Sequence, residues 1–129
     1  LTVNITHTWD SDIALTLASP SIAVQALWSN CGGSGDNMSN TVIDNDAAGL
    51  ANCAFAGAPF AGSFQPTAGP VAAPPTGSMN AFDGSSSGGV WTLNVADDSS
   101  ICTGTLTAWS LTLDGNPPLP VELMSFDVN

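Results

Sequence analysis

The chain contains no lysine and no arginine, against ten aspartates and one glutamate, which gives a formal charge of −11 over 129 residues. That absence excludes a nucleic-acid partner, because phosphates are neutralised by basic side chains that release counterions. It excludes docking on an anionic membrane surface for the same reason. Histidine is almost missing as well. His7 is the single one, so any general base or catalytic triad would have to be built on it. Long apolar runs are lacking too: none approaches the roughly 20 residues that cross a bilayer, so no membrane insertion is expected. No signal peptide or stop-transfer segment is visible, and the sequence is expected to be a mature or trimmed product.

What is present suits short strands and many turns. Hydrophobic residues make up 43% of the chain and charged ones only 9%, with 13 glycines and 9 prolines. A chain of this length buries about 70% of the surface its unfolded form exposes, enough for one domain with its own core. The uncompensated acidic surface keeps copies apart at low salt and attracts divalent cations. Three cysteines fit an oxidising compartment better than the cytosol, so a secreted or cell-surface location is expected. Cys31 and Cys53 each follow an asparagine and bracket a polar, glycine-rich stretch, which favours a bridge between them. Cys102 is then left over, either buried as a small apolar residue or available to a partner, and three unpaired thiols are the alternative. Zinc is disfavoured, since there is no C-x-x-C pair and only one histidine.

Alternation places the strands. Leu1 to Trp9 puts Val3, Ile5, His7 and Trp9 on one face. Ile13 to Ala18 repeats the pattern, turns at Ser19-Pro20-Ser21 and continues in Ile22 to Trp28 as a hairpin. Residues 29–65 weaken into polar turns with short apolar clusters. The prolines between Pro66 and Gly77 exclude a central strand and mark a surface crossover. Period two returns at Gly89 to Ala96 and at Thr105 to Leu113, with Asp97 to Gly104 expected as the hairpin between them. Pro120 to Val128 is a separate alternating segment, carrying Met124, Phe126 and Val128 on one side. The expected fold is therefore all-β: a jelly-roll-like sandwich of two antiparallel sheets over residues 1–115, followed by a linker and an extra strand over 116–129.

Five blocks in order carry a family resemblance: HTWDSDIALTLASPS (7–21), GGSGDNMSNTVIDNDA (32–47), APFAGSFQP (58–66), FDGSSSGGVWTLNVAD (82–97) and TGTLTAWSLTLDG (103–115). Together they resemble the P domain, or P/Homo B domain, that accompanies subtilisin-like proprotein convertases and bacterial secreted proteases. Two departures stand out. Relatives usually carry a further strand before the His-Thr block, so an edge of the sandwich is expected to be either missing or filled by something else. Basic residues common in the family are replaced here, at Asp12-Ile13-Ala14 and Phe64-Gln65-Pro66. The tail PLPVELMSFDVN is similar to the linker that joins the last folded domain of secreted Bacteroidetes proteins to a C-terminal sorting domain.

The resemblance implies a non-catalytic extracellular accessory module whose partner is a parent protease domain. The residues agree: His7 alternates with core positions and reads as a satisfied core histidine, and no G-x-S-x-G elbow occurs. Carboxylates offer the candidate site. Asp10, Asp12, Asp36, Asp44 and Asp46 fall in or beside the loops expected at one end of the sandwich, where hard oxygen ligands on irregular backbone suit calcium. Asp97-Asp98 is a second candidate, and solvated turn residues are the alternative for both. Of the four tryptophans, Trp9, Trp91 and Trp109 alternate inward, so core packing is expected over a carbohydrate-stacking platform. The alternative function is a self-assembling fibre or surface subunit, with Val121 to Val128 pairing onto an exposed sheet edge of another copy.

Overall fold

The structure, a computed structural model, describes residues 1–21, 23–54, 57–69 and 76–115. Ile22, the heart of the proline-rich crossover at 70–75 and the whole segment 116–129, including the expected extra strand, lie outside the described residues. Among the described residues there are eight strands: β1 Thr2–His7, β2 Ile13–Ala18, β3 Val24–Ser29, β4 Met38–Ile43, β5 Phe60–Phe64, β6 Thr67–Ala68, β7 Thr92–Asp97 and β8 Gly104–Ser110. They form two four-stranded sheets ordered β5-β4-β1-β8 and β6-β3-β2-β7, an all-β sandwich through which the chain passes from sheet to sheet.

The four pairings made by β1 and β2 are antiparallel, including the expected β2–β3 hairpin. One outer pairing in each sheet, β4–β5 and β3–β6, is instead parallel. The long connections explain this, because parallel neighbours require a crossover rather than a tight turn.

One expectation is corrected. Asp97 to Gly104 does not close a hairpin: β7 pairs with β2 in one sheet and β8 with β1 in the other. The Asp98 N–H donates to Asp12 O (2.9 Å), tying the start of the connection to the second sheet, while Gly104 enters the first sheet opposite His7. Alternation says which side chains face inward. It does not distinguish a hairpin within a sheet from an arch between sheets.

The core lies between the sheets, at period-two positions of β1 and β2 and, where irregular register interrupts the alternation, at adjacent or odd-spaced positions of β3 and β4. Val3 and Ile5 of β1, Ile13, Leu15 and Leu17 of β2, Leu27 and Trp28 of β3, Met38 and Ile43 of β4 and Phe60 of β5 are all buried. Each such side chain contributes about 1.5–3 kcal/mol relative to exposure. Trp28, fully buried, meets Phe60 edge-to-face at 4.9 Å, and Phe64 closes the cluster at 6.2–6.3 Å from both.

The tryptophans divide, which corrects the expected core packing of Trp9 and Trp109. Trp9 follows the end of β1 and is 44% exposed. Trp109 shares the inward face of Val3, its cross-strand partner, yet is 40% exposed. Its strand is outermost in its sheet, and all seven residues of β8 are exposed. Facing inward buries a side chain only where a further neighbour covers it.

Candidate functional site

His7 ends β1 at 4% exposure, and both ring nitrogens are engaged. Nδ1 accepts from the Trp9 N–H (3.0 Å), which places the proton on Nε2, and Nε2 faces Asp97 Oδ2 at 3.2 Å. The Ser99 N–H donates to the other Asp97 oxygen (3.0 Å). The Ser99 amide, and then His7, hold the Asp97 carboxyl below its usual range. The ring packs so closely on Gly104 that a Cβ there would lie 2.3 Å from His7 Cδ2. With Nδ1 held by the backbone and Nε2 by a carboxylate, the ring has no nitrogen left to take a proton from a nucleophile. Sequence reasoning missed the His7–Asp97 pair, which 90 residues separate.

After His7 the chain turns through a short 3₁₀ segment, Asp10–Asp12, gripped by the glycine-rich loop. Asp10 N–H donates to Gly35 O (2.8 Å) and Ser11 N–H to Gly33 O (3.1 Å). Gly32, at φ +112°, admits this packing: a Cβ there would sit 2.7 Å from the Phe60 ring and 2.8 Å from Asp10 Cβ. Asn37, at φ +75°, finishes the loop by accepting from the His7 N–H through Oδ1 (3.0 Å). Asp10 is thereby wholly buried, and neither carboxylate oxygen has a hydrogen-bond partner. Loss of water pushes its carboxyl up to about 6; the nearby Asn37 N–H, which itself donates to the His7 carbonyl (3.2 Å), and His7 pull the other way, and the Asp36 charge adds to the rise. Asp36 itself is exposed.

The five expected carboxylates divide between two places. Asp36 follows Gly35, whose carbonyl accepts from the Asp10 N–H (2.8 Å), so Asp10 and Asp36 belong to one junction, with Asp12 half-buried in the same turn as Asp10. Asp44 and Asp46 stand elsewhere, in an exposed turn after β4 where Asp44 Oδ1 accepts from the Asp46 N–H (3.0 Å). This turn lines a cleft of about 700 Å³ together with Asp83, Asp114 and the edge-to-face pair Phe82–Trp91. Among the described residues, no three carboxylates, histidines or cysteines gather as metal ligands. Cys31 and Cys53 are joined by a disulfide, and Cys102 is a half-buried free thiol.

The chain is thus a two-sheet sandwich whose one histidine is held at both ring nitrogens. The family model of the proprotein convertase P-domain matches residues 1–113, and the chain belongs to that family. No curated protein and no solved structure matches it. Among the described residues no helix is long and apolar enough to cross a membrane.

Proposed function

We propose that this chain is a non-catalytic accessory module of an extracellular protein, packing against a parent protease domain and stabilising it. The P-domain match over residues 1–113 carries this reading. The engagement of both His7 nitrogens supports the absence of chemistry, and the Cys31–Cys53 disulfide supports an oxidising compartment. The test compares the parent protein with and without these residues. Its adjoining domain is expected to lose thermal half-life on their removal, and the isolated chain to hydrolyse neither peptide nor ester substrates. Turnover by the chain that disappears in His7→Gln would overturn the reading.

The exposure of β8 favours a second reading, assembly by strand addition. Among the described residues β8 is the outer strand of its sheet, and the free edge of such a strand is a template for an extended peptide. Residues Val121 to Val128 of a neighbouring copy, with Met124, Phe126 and Val128 on one side, would fill that role and generate a filament. Light scattering of the full chain beside a version ending at Gly115 decides it. Assembly of the full chain alone supports the fibre, and two monomers at high concentration refute it.

A further inference from the structure

A buried carboxylate needs a counter-charge, and this chain has almost none to give. Moving an ionised carboxylate out of water costs several kcal/mol unless a cation or a full set of hydrogen bonds replaces the lost hydration. Asp10 is wholly buried and both its oxygens lack a partner. There is no lysine or arginine anywhere in the sequence. The single histidine lies near Asp10, but its Nε2 is turned to Asp97 and its Nδ1 to the Trp9 amide. No basic side chain of this polypeptide is therefore available to balance an ionised Asp10.

The surroundings specify what kind. Asp36 brings a second carboxylate to the same place, on the loop that also buries Asp10 through the Gly33 and Gly35 carbonyls. Two like charges brought together, one desolvated, repel unless a cation sits between them. All the groups offered are hard oxygens on irregular backbone, which suit calcium, and its remaining positions take water. Asp36 is exposed, leaving the ion a way in from solvent.

We propose that Asp10 and Asp36 together bind a divalent cation, calcium by preference, clamping the 3₁₀ turn after β1 to the glycine-rich loop 32–37. Asp44, Asp46, Asp97 and Asp98 take no part. The buried carboxylate anchors the ion and the exposed one closes over it.

The experiment titrates the full chain, stripped by chelator, with terbium and then with calcium. Trp9, the neighbour of Asp10, serves as the sensitiser of terbium emission. Expected is a saturable one-to-one emission that calcium displaces. Calcium at a hundredfold excess over its Kd should also raise Tm by about 10 °C. Asp10→Asn should weaken binding at least tenfold and abolish the calcium-dependent rise in Tm, while Asp44→Asn should change neither. Asp36→Asn, altering an exposed side chain, should also weaken binding at least tenfold, and it stands in if Asp10→Asn does not fold. The proposal is overturned if emission does not saturate, if affinity is unchanged in Asp36→Asn, or if Asp44→Asn loses as much as either.

Discussion

Replacing both Cys31 and Cys53 by alanine tests how far this small sandwich depends on a covalent clip. The bridge spans 22 positions and joins a fully buried residue, Cys31, to a half-buried one, Cys53, in the crossover that precedes β5. It also holds the Gly32 N–H on the Cys53 carbonyl (3.2 Å), at the root of the loop that buries Asp10. A closed loop of this length restricts the unfolded chain by about 3 kcal/mol at 25 °C on the chain-entropy model. Unfolding entropy for a chain of this size is about 0.27 kcal/mol/K, so the double variant should melt about 10–12 °C lower. Thermal melts followed by far-ultraviolet circular dichroism, at one calcium concentration, measure the shift. The wild-type protein under reducing conditions should match the variant, because Cys102 is the only other thiol. A double variant within about 3 °C of wild type would refute the reasoning and mean that packing around Phe60 and Trp28 holds the crossover without the bridge.

Phe60→Ala should cost about 3–5 kcal/mol, since it removes a 1%-exposed ring that contacts both Trp28 and Phe64 and leaves a cavity beside Gly32; urea unfolding measures the loss. Asp97→Asn should alter the acid limb of stability. The folded-state carboxyl titrates below its usual range, so its contribution is present above the unfolded pKa of about 4 and is lost as pH falls through the lower folded value. The Tm difference between wild type and Asp97→Asn should therefore shrink as melts are taken from pH 6 down to pH 3, and a difference that stays constant over that range would exclude the His7–Asp97 pair as its source.

Much of the sandwich is legible in single residues. Val3, Ile5 and His7, then Ile13, Leu15 and Leu17, alternate as buried faces must, and they are buried. The absence of lysine and arginine is equally a property of sequence alone, and it means that any buried carboxylate must find its counter-ion elsewhere. Local pattern records the direction of each side chain but not its neighbours. Only the folded chain places β7 and β8 in different sheets, which leaves Trp109 facing inward yet exposed on a strand that is outermost in its sheet among the described residues. Likewise Asp10, Asp12, Asp44 and Asp46 read alike as turn aspartates. Burial is conferred by chain segments distant in sequence: the loop 32–37 wraps Asp10 and takes it from water, while among the described residues no comparable segment covers Asp44 or Asp46, which stay exposed.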